Sequence, residues 1–241
     1  MSDAKSHCRS DPPDVYIMQS ESLKHWESIS ADVSGMLGGV PVVDGFCSFN
    51  KIDLQGSRAF LAKLGIGLKN GRSRVKLALE GGAGIGRITT GLLLDIAEQV
   101  DVVEPIARFT ASLQETSGIR SIYNIGLDRW HPEPGVRYDL IWTQWCLGHL
   151  TDEQLVQYLQ RCVTALTPGC GLIIIKENLS TSGTDAFDHV DSSVTREDSK
   201  FQALFKQANL RIVRTEMQKG LPKVPQRKLL PIKMYALKPQ E

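Results

Sequence analysis

The sequence predicts one doubly wound α/β domain, with a mostly parallel sheet and an antiparallel hairpin at one edge. Three observations indicate this fold. Short β-branched runs alternate with longer helical patterns from residue 75 onwards, a glycine-rich turn follows the first run, and polar residues cluster where later runs end. Alternating strand and helix signals are typical of parallel sheets that helices cover on both faces.

The candidate strands and helices follow one another in order along the chain. The predicted strands are 75–79, 100–104, 119–125, 139–143, 172–176, 210–216 and 232–237. Thr151 and Gln154 form a capping box between the fourth and fifth strands, so a helix is expected to begin there. Three prolines lie in or next to the last connection, at Pro222, Pro225 and Pro231. They fit an antiparallel hairpin at the sheet edge, where proline is tolerated.

The residues before the sheet form an N-terminal appendage of helices and loops. Residues 1–20 carry little periodic apolar signal and are predicted to be a flexible tail. The rest, 21–241, is expected to be a single domain that begins with a lid segment over 21–56, where glycines interrupt regular structure. Ser57 is expected to cap a short helix just before the sheet.

Composition excludes several classes of partner. The 241 residues carry 28 basic and 27 acidic side chains, a formal net charge of +1. Proteins that bind nucleic acids or anionic membranes carry an excess of basic residues, which this sequence lacks. The longest aliphatic run, 172–175, is too short to span a bilayer. Five scattered cysteines form no metal-spaced cluster, so we expect no metal and a reducing compartment, the cytoplasm or nucleus.

A glycine-rich loop after the first strand predicts a ligand site. Gly82, Gly84 and Gly86 are spaced Gly-x-Gly-x-Gly and precede a helix, whose N-terminus favours an anionic group. Dinucleotide sites use Gly-x-Gly-x-x-Gly, whereas the spacing found here is usual in enzymes that bind S-adenosyl-L-methionine (AdoMet). The alternative is a tight turn without a ligand.

Two charged residues near this loop have candidate roles in binding the same ligand. Glu104 ends the second strand about 20 residues after Gly82, where a carboxylate takes ribose hydroxyls in such folds. Arg87 could pair with the methionine carboxylate of AdoMet, because a guanidinium can donate two parallel hydrogen bonds to a carboxylate. Alternatively, Glu104 is a solvated acid at a strand end and Arg87 is a surface arginine on the first helical turn.

Aromatic and titratable residues crowd the end of the fourth strand. Trp142 lies within the strand and is expected in the core, whereas Trp145 is a candidate wall of the substrate pocket. His149 is either a structural histidine or a general base. Asp188 and Asp191 follow the fifth strand, and a carboxylate near His149 would help to remove a proton from an ammonium group. Alternatively, these acids cap the next helix.

Five segments in this order resemble the alpha-N-terminal protein methyltransferases. They are GMLGG at 35–39, GGAGIGR at 81–87, IWTQW at 141–145, GHLTD at 148–152 and DSSVTR at 191–196. The resemblance implies a Rossmann-like, seven-stranded class I AdoMet-dependent methyltransferase fold. It also implies transfer of methyl groups from AdoMet to the exposed α-amino group of protein chains that begin X-Pro-Lys.

The resemblance further assigns roles to individual positions. It implies that AdoMet is bound by Gly82, Arg87, Glu104, Leu127 with its neighbour Asp128, and Gln144. It implies a peptide channel lined by Trp26, Leu37, Trp145, Asn178, Asp188, Asp191 and Ser193. His149 and Asp191 are expected to act as general bases on the α-amine.

Three departures from the family pattern border the predicted channel. The stretch 40–50 is longer than its equivalent in the family, Val40 stands where an aromatic residue is common, and Leu230 stands where animal members have a tyrosine. The acceptor is therefore open to alternatives. These are a small-molecule amine or peptide-derived metabolite, and an AdoMet-binding relative with another role.

Overall fold

The computed structural model describes residues 11–43, 45–69, 71–222 and 229–240. Seven strands form the main sheet: β1 (Val75–Gly81), β2 (Ala97–Val103), β3 (Ile119–Tyr123), β4 (Leu140–Gln144), β5 (Leu172–Asn178), β8 (Leu210–Met217) and β9 (Ile232–Pro239). A separate hairpin consists of β6 (Ala186–Asp188) and β7 (Ser193–Thr195); we call it the substrate hairpin because Asp188, Asp191 and Ser193 are predicted to line the peptide channel. The seven predicted strands are confirmed, with ends that differ by at most 3 residues.

The strand order is β3-β2-β1-β4-β5-β9-β8. Strands β1 to β5 pair in parallel, whereas β9 runs antiparallel to both β5 and β8. The predicted antiparallel edge is confirmed. The order reverses direction between β1 and β4, and ligands bind at such a switch point beyond the carboxyl ends of the strands.

Helices cover both faces of the sheet. They are α1 (Gln19–Ser28), α2 (Val33–Met36), α3 (Phe49–Ala62), α4 (Leu94–Ile96), α5 (Ala107–Thr110), α6 (Asp152–Ala165) and α7 (Asp198–Gln207), and a π-helical turn, Thr89–Leu93, precedes α4. The predicted capping box of Thr151 and Gln154 begins α6. Among the described residues, no helix is long and apolar enough to cross a membrane.

Two apolar layers enclose the sheet because alternate strand residues face opposite sides. Ile173 and Ile175 pack with the cluster that includes α6 and α7, whereas Trp142 and Ile174 pack with the cluster that includes α3 and the helix before β2. Trp142 is fully buried, which confirms its predicted place in the core. Because the sheet is buried on both faces, strands such as β5 contain continuous aliphatic runs in the sequence.

The prediction that Ser57 caps a short helix is wrong. Helix α3 begins at Phe49, and Ser57 lies inside it, where its Oγ donates to the backbone oxygen of Asp53 over 3.0 Å. Both Asp53 and Ser57 are fully buried on the core-facing side of the helix. These two polar residues interrupt the apolar spacing, so the sequence pattern showed only the second half of α3.

The predicted flexible tail also requires correction for the residues that the structure describes. Pro13–Tyr16 form a turn of 3-10 helix, and α1 begins at Gln19, inside the stretch assigned to the tail. Residues 1–10 lie outside the described residues. The amphipathic pattern does not reveal this ordered segment, because individual hydrogen bonds join it to the rest of the chain.

Those contacts join the N-terminal segment to distant parts of the chain. The carboxylate of Asp14 accepts from the backbone N–H of Asp152 over 2.9 Å, at the first turn of α6. The backbone N–H of Met18 donates to Ser192 Oγ over 2.9 Å, in the turn of the substrate hairpin. The segment thus crosses this hairpin before α1 reaches the carboxyl edge of the sheet.

A buried arginine ties the substrate hairpin to the chain after β4. The guanidinium of Arg196 donates to the backbone oxygens of Leu147 over 3.0 Å and Leu150 over 2.6 Å, and to Asp152 Oδ1 over 2.9 Å. Its side chain has no exposed surface. It therefore fixes the 3-10 turn Leu147–His149 from the side of the hairpin.

We predict that Arg196→Met lowers the free energy of unfolding by about 3–5 kcal/mol, because it breaks a buried ion pair and removes the guanidinium donor from the backbone oxygens of Leu147 and Leu150. Urea denaturation measures the change. The matched control is Arg58→Met, which breaks the exposed ion pair with Asp95 and should cost less than about 1 kcal/mol. Equal losses in the two variants would contradict the role of Arg196.

Candidate active site

A cleft opens beyond the carboxyl ends of β1, β2 and β4 and encloses about 950 Å³ of space, including its open mouth. It contains every residue predicted to bind the cofactor and three of those predicted on the acceptor side. These residues are Gly82, Gly84, Arg87, Glu104, Leu127, Asp128, Gln144, Trp26, Trp145 and His149. The structure therefore brings together groups that lie far apart in the sequence.

The glycine loop forms the floor of the cleft. Gly82 and Gly84 have φ angles of 69° and 55°, in the left-handed region that favours glycine. A Cβ on Gly82 would lie 2.5 Å from Cys146 Sγ, and one on Gly84 would lie 2.6 Å from Met36 Sδ. Both positions therefore need glycine for backbone conformation and for space, and the loop presents bare backbone to the cleft.

Glu104 holds this loop in place from the end of β2. Its Oε2 accepts from the backbone N–H of Gly84 over 2.8 Å, and its Oε1 accepts from that of Ile106 over 3.0 Å. Burial raises the pKa of this carboxyl group, and the two backbone hydrogen bonds oppose that rise. Each oxygen retains a lone pair for a ligand hydroxyl, so the alternative of a merely solvated acid is wrong.

Arg87 is buried at the rim of the cleft. Its Nη1 donates to Asp53 Oδ2 over 2.7 Å and to Asn50 Oδ1 over 2.9 Å, and its guanidinium lies 5.2 Å from the ring centroid of Trp145. The alternative of a surface arginine is therefore wrong. Asp53 and Asn50, both from α3, were not predicted as site residues.

Trp145 occupies strained backbone directly after β4. Its φ angle is 55°, which a non-glycine residue adopts only at a cost. The indole stacks on Phe49 with ring centroids 6.0 Å apart. Its Nε1 is buried and has no hydrogen-bond partner among the described residues. A buried donor without a partner is unusual in a folded protein.

A buried carboxylate holds the turn after Trp145. Oε1 of Glu177 accepts from the backbone N–H groups of Cys146 and Leu147, each over 3.0 Å. Burial raises the pKa of Glu177 to about 7, and these hydrogen bonds oppose the rise. Together with Arg196 on the other side, Glu177 fixes the turn that presents His149.

His149 has partners on both ring nitrogens. Nε2 lies 3.0 Å from Trp26 Nε1, and Nδ1 lies 2.9 Å from Ser22 Oγ. An indole nitrogen can only donate, so Nε2 must accept. The neutral ring therefore carries its proton on Nδ1, which donates to Ser22. Helix α1 thus fixes the tautomer and covers the basic nitrogen.

The environment of His149 keeps it neutral. Burial lowers the pKa of His149 below its ordinary 6.5, the charge of Asp191 opposes this shift, and that of His25 adds to it. A neutral imidazole is the form that accepts a proton. The alternative of a structural histidine describes only part of its environment, because the ring also lines the cleft.

The other predicted acceptor residues lie outside the wall of the cleft. Asp191 accepts from Ser193 Oγ over 2.6 Å in the turn of the substrate hairpin. Asp188 is exposed and accepts from the backbone N–H of Val190 over 2.8 Å, which stabilises the same turn. Asn178 ends β5, and Leu37 is buried in a small apolar cluster on which Trp145 packs. Their assignment to the peptide channel stays a prediction.

Comparison with known proteins identifies the family. The family model described as AdoMet-dependent proline di-methyltransferase matches residues 14–238. The chain belongs to this family. It is 44% identical over 231 residues to alpha N-terminal protein methyltransferase 1 of Schizosaccharomyces pombe, covering 95% of this chain and 98% of that protein. It is 39% identical over 207 residues to N-terminal Xaa-Pro-Lys N-methyltransferase 1 of Xenopus tropicalis, covering 84% and 88%.

Solved structures agree with the methyltransferase fold. A SAM-dependent methyltransferase from Leishmania major superposes with a TM-score of 0.78 at 35% identity, covering 91% of this chain and 82% of that one. The 1,6-didemethyltoxoflavin-N1-methyltransferase of Burkholderia thailandensis, bound to S-adenosylhomocysteine, superposes with a TM-score of 0.65 at 19% identity, covering 96% and 92%. The predicted fold class, enzyme class and AdoMet dependence are confirmed.

The residues of this methyltransferase fit AdoMet chemically. The glycine loop leaves no room for a Cβ and presents bare backbone to the cleft, and Glu104 offers acceptors for hydroxyl groups. Ile106, Phe109 and Leu127 supply an apolar wall. Among the described residues, no cluster of His, Cys, Asp or Glu could hold a metal ion.

Five residues of the methyltransferase site were missed from the sequence: Ser22, Asn50, Asp53, Glu177 and Arg196. Glu177 follows Lys176 in a polar cluster at a strand end, which is a usable signal for the carboxyl edge of a sheet. Ser22 and Asp53 give no such signal, because they lie in helices whose partners are remote in sequence. Only the folded chain brings them to His149 and Arg87.

We predict that Trp26→Phe raises the pKa of His149, because the indole N–H stabilises the neutral ring and phenylalanine cannot donate. Titration of the histidine ring signals by NMR measures the change. Trp130→Phe is the matched control, since the Trp130 Nε1 is buried without a hydrogen-bond partner among the described residues. A pKa of His149 that stays constant in Trp26→Phe would refute the hydrogen bond in solution.

Proposed function

We propose that this methyltransferase modifies the α-amino group of protein N-termini of the X-Pro-Lys type, with AdoMet as methyl donor. The observation that carries the proposal is a shared cavity. The glycine loop, Glu104 and the imidazole of His149 all line one cleft. The names of the relatives from S. pombe and X. tropicalis support this class of acceptor.

The residues of the cleft divide the binding of AdoMet among them. When bound, AdoMet supplies an electrophilic methyl group on a sulfonium. Glu104 would accept hydrogen bonds from the ribose hydroxyls, and Leu127 and Asp128 would contact the same ligand. Arg87 and Gln144 would bind the methionine carboxylate, for which the guanidinium offers charge-assisted hydrogen bonds.

His149 prepares the acceptor by taking a proton. An α-amine attacks a methyl group only through a free lone pair, so its ammonium form must first lose a proton. Nε2 is the basic ring nitrogen, because Nδ1 carries the proton of the neutral tautomer. The incoming ammonium replaces the Trp26 indole as the donor to Nε2, and the proton then moves to the imidazole.

The substrate hairpin receives the rest of the peptide. Asp191 is a second proton acceptor, and Ser193 orients its carboxylate through a 2.6 Å hydrogen bond. The exposed carboxylate of Asp188 offers a charge partner for the lysine at the third position. Trp145 and Asn178 flank the proline at the second position, and Leu37 supports Trp145 from the apolar cluster behind it.

The acceptor is tested with an X-Pro-Lys peptide and AdoMet. Intact-mass analysis should show gains of about one to three methyl masses on the free peptide, because the cleft positions an α-amine for in-line transfer. The same peptide with an acetylated N-terminus is the control and should gain none. If the free peptide gains nothing while calorimetry shows that AdoMet binds, the acceptor is a different amine.

The proton acceptors are tested with His149→Gln and Asp191→Asn. Each should lower kcat about 10²–10⁴-fold without weakening AdoMet binding, as expected for general bases. Wild-type activity should fall as pH falls through the pKa of His149, below 6.5, because the protonated ring cannot accept a proton. His189→Gln, on the exposed part of the substrate hairpin, is the control. Full activity in both test variants would exclude the assigned roles.

A further inference from the structure

A buried carboxylate lies directly behind the cleft, in the middle of α3. Asp53 has no exposed surface and is placed between two cations. Its Oδ1 lies 2.5 Å from Lys176 Nζ, and its Oδ2 lies 2.7 Å from Arg87 Nη1. Burial opposes ionisation, but Lys176 and Arg87 hold the pKa of Asp53 below its ordinary value, so the group is a carboxylate at neutral pH.

This one carboxylate contacts two side chains of the cleft that come from different elements. Arg87 follows the glycine loop after β1, and Gln144 ends β4. The Nε2 of Gln144 lies 3.2 Å and 3.1 Å from the two oxygens of Asp53. Asp53 thereby sets the position of both side chains relative to each other.

Lys176 determines how Asp53 binds Arg87. A guanidinium and a carboxylate alone tend to pair through two parallel hydrogen bonds. Here the ammonium of Lys176 takes Oδ1, and Ser57 Oγ and Gln218 Oε1 hold that ammonium over 2.9 Å and 2.8 Å. Arg87 therefore binds Asp53 through Nη1 alone. Its Nε and Nη2 have no hydrogen-bond partner among the described residues.

Of this group, only the guanidinium of Arg87 reaches the rim of the cleft. Asp53 lies between Arg87 and Lys176, and burial lowers the pKa of Lys176 while the charge of Asp53 opposes that shift. The charge and the free donors of Arg87 suit an anionic group. The methionine carboxylate is the anionic part of AdoMet.

We propose that Asp53 is a positioning residue for AdoMet. Asp53 holds Arg87 and Gln144 in the geometry that receives the methionine carboxylate, and Lys176 leaves two guanidinium nitrogens of Arg87 available to that carboxylate. The inference rests on the proposed placement of AdoMet in the cleft. It adds a specific source of affinity: a carboxylate that never touches the ligand.

The test is the Kd of AdoMet and of S-adenosylhomocysteine for Asp53→Asn, measured by calorimetry. Asparagine has the same size but is neutral and has one acceptor oxygen instead of two, so it cannot hold Arg87, Gln144 and Lys176 together. We expect both Kd values to rise about 10–100-fold, as for other groups that orient a ligand-binding side chain. The KM for the peptide at saturating AdoMet should stay within twofold.

Asp101→Asn is the matched control. Asp101 is equally buried, on β2, and binds Arg120 and the hydroxyl of Tyr138 away from the cleft. It should lower the stability without changing the Kd of AdoMet. An Asp53→Asn protein that loses no more affinity than Asp101→Asn, with both folded by circular dichroism, overturns the inference.

Two further variants keep the inference testable if Asp53→Asn does not fold. Lys176→Met frees Oδ1 for a second bond to Arg87 and should raise the Kd of AdoMet at least fivefold; an unchanged Kd overturns the inference. Arg87→Met tests the placement itself. If Arg87→Met binds AdoMet normally, the proposed placement of AdoMet in the cleft is wrong. If Arg87→Met binds AdoMet weakly while Asp53→Asn and Lys176→Met bind it normally, the placement stands and only the positioning role of Asp53 is wrong.

Discussion

The ion group of Asp53, Arg87 and Lys176 joins the three parts of the chain on which the cleft depends. Helix α3 contributes the carboxylate, the segment after the glycine loop contributes the guanidinium, and β5 contributes the ammonium. Each charge alone would be costly to remove from water, and only their close pairing makes burial tolerable. The three elements must therefore pack so that these charges remain in contact.

A buried carboxyl group and a buried guanidinium perform the same task for the turn after β4. Glu177 accepts from two backbone N–H groups of this turn, and Arg196 donates to two of its carbonyl oxygens. Because both side chains are buried, these hydrogen bonds are not weakened by competing water. The turn carries Trp145 at its start and His149 at its end. The reactive edge of the sheet is thus held by buried hydrogen-bonding side chains.

The sequence predicted those features that follow from local pattern. Strand positions came from aliphatic runs such as 172–175, and the ligand loop came from the spacing of Gly82, Gly84 and Gly86. Asp53 and Ser22 could not be found in this way, because their roles depend on partners more than 30 residues away. The polar core of α3 even concealed half of that helix. The spacing of apolar residues reveals which face of a segment is buried. The partners of buried polar groups become visible only in the folded structure.

Trp145 illustrates a conflict between folding and activity. Its backbone lies in the left-handed region, where a bulky residue costs of order 1–3 kcal/mol. Glycine or asparagine would adopt this conformation more easily. A search for stabilising substitutions would therefore select position 145 and remove the indole that walls the cleft. Greater thermal stability obtained at this position would come with a poorer enzyme, which is the usual trade-off at a strained functional residue.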